Sequence, residues 1–405
     1  VPFFYNYKTI LMFDFDKPIN RLGTSSFKYE FREKYFKNPD VIPLWVADMD
    51  FASPPAISEA IKERIEHPVF GYTVRNSSFN TSIKNWLYTK HSWDIETSWL
   101  EFSPGVVSGL SMAVLAYTKP GDGIIIQPPV YPPFFSVVKD NDRNAMHNPL
   151  ILDNGKYIIN FEELEQLASK PENKMLILCS PHNPIGRLWS EEELVKLGEI
   201  CIANDVLVIS DEIHSDLAIF GNKHTPFASI SESFANNSVT FMAPSKTFNI
   251  AGFSTSYIIC KNRELRTKYR RILHSLHLYT GHLLGGVVLE AAYDHGAEWL
   301  DELILYLEGN IKFVEEFISI RLPWITLTKP EATYLLWLDF RKTGWDQDTI
   351  TSFLAKDANV GLNNGTLFGE EGRGFMRMNI GSPRSVLHAA LINMEKAFVK
   401  SNLNR

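Results

Sequence analysis

The stretch SVTFMAPSKTFNIAGFSTSYII, residues 238–259, decides how this chain is read. An apolar run, VTFMA at 239–243, leads into Lys246, which stands between the hydroxyl residues Ser245 and Thr247. A second apolar run, SYIIC, follows at 256–260. No acidic residue lies within ten positions of Lys246 on either side, so its charge has no local partner. Apolar runs of this length without polar alternation fit strands covered on both faces, as in a largely parallel sheet. In open α/β sheets, ligands bind beyond the carboxyl ends of the strands, which is where such a lysine would stand.

Working outward, three more runs have the same character: GIIIQ (123–127), KMLILCS (174–180) and VLVIS (206–210). Helical patterns separate them. One is SEEELVKLGEICIAND (190–205), with a serine cap and clustered glutamates at its start. This alternation predicts an α/β domain with right-handed crossovers and a mostly parallel sheet covered by helices. The texture changes near residue 296. A long helical stretch (296–322), the run EATYLLWLDF and a last helix after Pro383 read as a smaller α+β domain. The division expected is therefore 51–295 for the large domain and 296–405 for the small one. Residues 12–50 pack with the small domain, and 1–11 form an extension ahead of Met12.

Composition narrows the function. With 45% hydrophobic and 21% charged residues over 405 positions, the chain is too apolar for disorder. A net charge of −7 with mixed signs argues against a nucleic-acid partner. No apolar run is long enough to cross a membrane, and the opening VPFFYNYKTIL lacks the layout of a signal peptide. Cys179, Cys201 and Cys260 are odd in number and lack paired spacing, which fits a reducing cytoplasm.

Four of these five apolar runs are followed by a distinctive polar residue: Tyr131, Asn183, Asp211 and Lys246. Singly they read as rim, turn and loop residues; together they would converge on one crevice. Upstream, SPGVVSGLSMAVLAYTKPGD (103–122) predicts a turn and then a helix starting near Val106. A helix N-terminus after a glycine suits a phosphate, and Ser245 offers a hydroxyl to the same anion. One cofactor would use all of these groups, pyridoxal 5′-phosphate (PLP). Its aldehyde takes a lysine amine, its ring nitrogen a carboxylate, its ring face an aromatic and its phosphate a helix N-terminus.

SPHNPIGR (180–187), SDEIHSDL (210–217) and PSKTFNIAG (244–252) resemble, in order and spacing, the aspartate-aminotransferase-like fold of PLP enzymes, fold type I. Further motifs, IPLWVADMDF (42–51), HPVFGYTVR (67–75), QPPVYPPF (127–134) and GFMRMNIGSPR (374–384), resemble its C–S β-lyase branch, which includes cystathionine β-lyase and cystalysin-like enzymes. The resemblance implies that Lys246 bonds the cofactor, Asp211 pairs with the ring nitrogen, Asn183 with the ring hydroxyl, and Tyr131 stacks on the ring. It implies that the backbone at Val106 and Val107, with Ser245, holds the phosphate. His214 lies nearby. Tyr72 reaches the neighbouring subunit's phosphate, so the active unit is a homodimer. Arg377, with Trp45 close by, binds the carboxylate of an amino-acid substrate. Ser254 departs from the pattern, because many aminotransferases of this fold carry a phosphate-binding arginine there.

The activity expected is β-elimination from an S-substituted L-cysteine such as cystathionine, with Lys246 and Tyr131 catalytic. The alternatives are an aminotransferase using the same groups and a regulatory protein whose cofactor is vestigial. His274, His277 and His282 match no metal-ligand spacing, so no metal site is expected. No G-x-S-x-G element appears, and GEEGRG (369–374) lacks the strand–helix setting of a nucleotide loop.

Overall fold

The runs that open the sequence argument form the middle of a seven-stranded sheet in the computed structural model, which describes residues 12–403. The extension expected at 1–11 lies outside the described residues. The strands are β1 (Leu100–Ser103), β2 (Gly123–Ile126), β3 (Asn144–His147), β4 (Asn173–Cys179), β5 (Leu207–Asp211), β6 (Ser238–Met242) and β7 (Ser256–Ile259), in the spatial order β1-β7-β6-β5-β4-β2-β3. Alternate residues of each central strand enter opposite apolar layers. Ile124, Ile126, Met175, Ile177 and Ile209 face one layer; Ile125, Leu176, Leu178 and Val208 face the other. Burial on both faces is why these strands read as unbroken apolar runs. Each fully buried aliphatic side chain contributes about 1.5–3 kcal/mol.

The sheet is mostly parallel, as expected, with one reversal. β7 runs antiparallel to both β6 and β1. The SYIIC run therefore belongs to the sheet but does not point its carboxyl end at the crevice. β1, reversed twice, does point there, as do β2, β4, β5 and β6. The edge strands β1 and β3 escape sequence reading. LEFS and NAMH are short and partly polar, and β3 is half exposed.

Helices α1 (Ser77–His91) and α2 (Val106–Tyr117) pack on this domain. Gly109 lets α2 lie close to the sheet: a Cβ there would sit 2.4 Å from Phe241 and from Ser103 Oγ. The helix Glu191–Ala203 is closed by a capping box, in which Ser190 Oγ accepts from Glu193 N–H and the Glu193 carboxylate accepts from Ser190 N–H.

Beyond residue 296 come α3 (Ala297–Arg321), strands β8 (Thr326–Thr328), β9 (Leu335–Asp339), β10 (Asn363–Asn364) and β11 (Phe375–Asn379), and α4 (Arg384–Leu403). The strands form an antiparallel sheet in the order β8-β9-β11-β10. The WVADMD segment is the seam between the two sheets. On one side, Asn379 Nδ2 donates to the carbonyls of Val46 and Asp48 at 2.5 and 2.6 Å. On the other, Met49 N–H donates to Asn249 Oδ1 at 2.9 Å, three residues past Lys246. We retain the division at 51–295 and 296–405 as a proposal.

Candidate active site

Five strand ends build one crevice. Asp211 is the last residue of β5 and is buried, and the hydrogen bond its carboxylate accepts is from Ile213 N–H at 3.2 Å. Burial raises its pKa to about 7, against the Ile213 bond and the charge of Lys246, which pull it down. A buried carboxylate with so little to hold its charge fits a cationic ligand group.

Lys246 rides a turn closed by Phe248 N–H to Pro244 O at 2.9 Å and Ile250 N–H to Ser245 O at 3.0 Å. Its Nζ donates to the Ala47 carbonyl at 2.7 Å, and no acidic side chain among the described residues forms an ion pair with it. Burial lowers its pKa to about 8; Arg377 lowers it further, and Asp48 and Asp211 oppose the fall. As pH rises through about 8 the ammonium gives way to the free amine.

Arg377 lies at the centre of β11, paired across the sheet with Trp337 and Asn363. It is buried, and its bonds go to neutral acceptors: Asn183 Oδ1 at 2.8 Å, Trp45 O at 3.0 Å and Asn363 Oδ1 at 2.7 Å. Its Nε has no partner among the described residues. Phe368 covers one face of the guanidinium at 4.9 Å. A buried guanidinium without a carboxylate fits a ligand that brings one.

Asn183 is buried, with its N–H on Cys179 Sγ at 3.4 Å. Its Oδ1 is committed to Arg377, which leaves the amide donors for a ligand acceptor. His214 is buried beside Tyr334, its Nδ1 unpartnered, and burial with the charges of Lys246 and Arg377 holds it neutral with a pKa of about 3. Tyr131 follows β2; burial raises its phenol pKa, with Asp211 and Cys179 acting the same way and Arg377 against. Gly105 caps α2 with φ +109, a conformation that favours glycine, and its carbonyl takes the Gly109 N–H. The donors of Val106, Val107 and Ser108 precede that first helical bond and are open to an anion.

These groups fit PLP. A lysine without an ion-pair partner among the described residues, a carboxylate in need of a cation, an exposed helix start and unpartnered nitrogens of the buried His214 and Arg377 stand in one cleft.

Two expected residues are placed differently from the rest. The Trp45 indole donates to Lys28 O at 3.0 Å and packs among Phe27, Tyr35 and Phe36, so only its carbonyl meets Arg377. Tyr72 is fully exposed on a coil with Val69, Phe70 and Val74, and makes no contact with the cleft of its own chain. Ser254 is exposed at φ +44. His274 stacks on Tyr279 at 4.6 Å, and His282 Nδ1 accepts Leu284 N–H at 3.1 Å. Among the described residues, no three His, Cys, Asp or Glu side chains are grouped to hold a metal.

Sequence reading missed Ala47, Tyr334 and Asn363. The Ala47 carbonyl accepts from both Lys246 Nζ and Tyr334 OH, the latter at 3.0 Å. A carbonyl carries no residue-type signal. Asn363 could be assigned only once its register against Arg377 was known.

The family model for aminotransferases of class I and II matches residues 39–391. The cystathionine beta-lyase PatB of Bacillus subtilis (strain 168) is 47% identical over 384 residues, covering 95% of this chain and 99% of the relative. Cystalysin from Treponema denticola, solved with a pyridoxal 5′-phosphate cofactor, superposes with a TM-score of 0.94 at 38% identity, covering 96% of this chain and 100% of that one. The PLP-bound structure of a proposed aminotransferase from Clostridium difficile 630 gives 0.93 at 42% identity, covering 95% and 99%.

Proposed function

Because the chain belongs to the aminotransferase class I and II family, we propose that it is a PLP-dependent C–S β-lyase, cleaving L-cystathionine and related S-substituted cysteines to a thiol, pyruvate and ammonia. The observation that carries the PLP-enzyme part of this reading is the pairing in one cleft of a lysine bonded only to a backbone carbonyl with a buried arginine that lacks an anion. The 47% identity to a cystathionine beta-lyase supports the branch.

When bound, PLP supplies an electron sink for the pair left at Cα after deprotonation. The chain's residues supply the rest. Arg377 grips the substrate carboxylate and fixes the orientation of the Cα–H bond. Lys246 Nζ, held by the Ala47 carbonyl, accepts the Cα proton. Asp211 keeps the proton on the ring nitrogen, since a nearby negative charge favours the cationic form. Asn183 would donate to the ring hydroxyl, Tyr131 would cover the ring face, and Val106, Val107 and Ser245 would hold the phosphate. The Tyr131 phenol keeps its proton at neutral pH and delivers it to the departing sulfur as the Cβ–S bond breaks. Water then releases pyruvate and ammonia.

The working unit is a homodimer with shared sites. The exposed run at Val69, Phe70, Tyr72 and Val74 supports it: a second copy would cover this apolar coil and bring Tyr72 to its neighbour's phosphate. The three buried, unpaired cysteines support a reducing, cytoplasmic setting. Among the described residues no helix is long and apolar enough to cross a membrane.

Transamination would use the same groups, and the Clostridium difficile relative is described in those terms. The test is purified protein with cystathionine and no keto acid. Pyruvate and free thiol in equal amounts are expected; turnover only when a keto-acid acceptor is added would overturn the lyase reading.

A further inference from the structure

Directly beneath the crevice lies a second polar layer that the mechanism above does not use. Asp216, five residues past Asp211, accepts three side-chain hydrogen bonds: from Trp86 Nε1 at 3.1 Å, from His91 Nε2 at 2.9 Å and from Thr247 Oγ1 at 2.8 Å. The Asp216 and His91 side chains are each 4% exposed. Trp86 and His91 both come from α1, and Thr247 is the residue after Lys246. Against the His91 ring, edge to face at 5.7 Å, stands His224. His224 Nε2 meets the buried Glu212 carboxylate at 2.8 Å, which also takes Ser210 Oγ at 2.8 Å and Phe227 N–H at 3.0 Å. Glu212 is the residue after Asp211.

The pattern is a register. At the end of β5, and on the turn four residues past β6, the functional side chain enters the crevice and its successor enters this layer. Asp211 and Lys246 face the cofactor position; Glu212 and Thr247 face away from it into one chain of contacts, Thr247–Asp216–His91–His224–Glu212. Well-packed apolar residues of similar volume often match or exceed a buried ion pair in stability, so stability alone is a weak reason for such a layer. Fixing one geometry out of several is a better one, because satisfied buried networks rigidify their surroundings.

We infer that Asp216, through Thr247, is a positioning residue that sets where Lys246 Nζ stands relative to Asp211. This rests on the assignment of Lys246 and Asp211 to PLP. The side-chain bonds of Asp216 go to Trp86, His91 and Thr247, none of them assigned to substrate or cofactor. It fixes the lysine turn to α1, and the His91–His224 contact relates that turn to the end of β5. A misplacement of about 1 Å at a reacting group can cost about 100-fold in rate, so the tether matters without adding a chemical step.

The test uses the PLP-loaded enzyme with Thr247→Val, Thr247→Ser and Asp216→Asn, with Lys246→Ala alongside. The readouts are the pH midpoint of the visible absorbance change, kcat and KM on cystathionine, and the melting temperature. Thr247→Val keeps the side-chain volume and deletes the bond to Asp216. It is expected to lower kcat about 10- to 100-fold with KM within about 3-fold and to move the absorbance midpoint by about half a pH unit or more, beyond what the fall in melting temperature from leaving Asp216 Oδ2 without its bond accounts for. Thr247→Ser should restore both kcat and midpoint. The inference is overturned if Thr247→Val leaves kcat and midpoint at wild-type values, or if losses in Thr247→Val and Asp216→Asn only track the unfolded fraction. An unaltered visible band in Lys246→Ala would instead defeat the PLP assignment itself, and this inference with it.

Discussion

Arg377 donates to Asn183 Oδ1 at 2.8 Å, joining a strand of the small sheet to a loop at the end of β4. The group proposed to bind the substrate carboxylate is thereby fixed to the group proposed to read the cofactor ring. Truncating either partner should disturb both tasks. Arg377→Lys keeps the charge but loses the planar fork that makes three directed bonds. We expect KM for cystathionine to rise about 100-fold with a smaller loss in kcat. Asn183→Ala should raise KM about 10-fold and weaken PLP binding together. Steady-state kinetics and PLP titration check both, and an effect of Asn183→Ala on only one of the two would contradict the linkage.

The Lys246 amine gives a pH prediction. Burial lowers its pKa from 10.5 to about 8, so the folded protein binds fewer protons here than the unfolded chain in that window. The resulting loss of stability is full below about pH 8 and relieved as pH rises towards 10.5. In the cofactor-free protein, labelling of Lys246 by an amine reagent should show a midpoint near pH 8. Arg377→Ala should move that midpoint up, since Arg377 lowers the lysine pKa, and Asp48→Asn should move it down.

Asp211 has the opposite profile. Its pKa rises from 3.8 to about 7 on burial, so the folded state holds a proton that the unfolded state releases. Its contribution makes the cofactor-free protein less stable as pH climbs from about 4 to 7. Asp211→Asn should flatten that slope in thermal melts at a series of pH values. In the loaded enzyme the same variant should lose at least about 100-fold in kcat, because the ring nitrogen loses its counter-charge. A variant with wild-type turnover would remove Asp211 from the reaction.

The proposed sharing of sites between two subunits predicts complementation. Tyr72→Ala should weaken PLP binding, and Lys246→Ala should be inactive. Mixing the two as hybrid dimers rebuilds one native site per hybrid. About a quarter of wild-type activity is expected from a random equal mixture if Tyr72 acts across the interface. No recovery would place Tyr72 outside the partner's site.

Much of this was legible in the sequence because the residues concerned sit in strong local frames. Lys246, Asp211 and Asn183 each follow an apolar run, and the Val106 helix start follows a glycine. The antiparallel course of β7 was not legible, because a strand buried on both faces looks the same in either direction. The edge strands Leu100–Ser103 and Asn144–His147 were missed because partial exposure removes the apolar signal. Trp45 meets Arg377 through its backbone carbonyl, while its ring joins an aromatic cluster, a division that residue type does not reveal. Contacts between distant segments, such as Asp216 with Thr247 and Trp86, carry no pattern along the chain at all.

The central claim is that Lys246, and no other amine, bonds the cofactor. The direct measurement is borohydride reduction of the PLP-loaded protein followed by proteolysis and peptide mapping by mass spectrometry. The account predicts a single reduced pyridoxyl group on the peptide containing Lys246, absent from Lys246→Ala. A stable label on any other lysine, or none in protein that shows the cofactor's visible band, would contradict it.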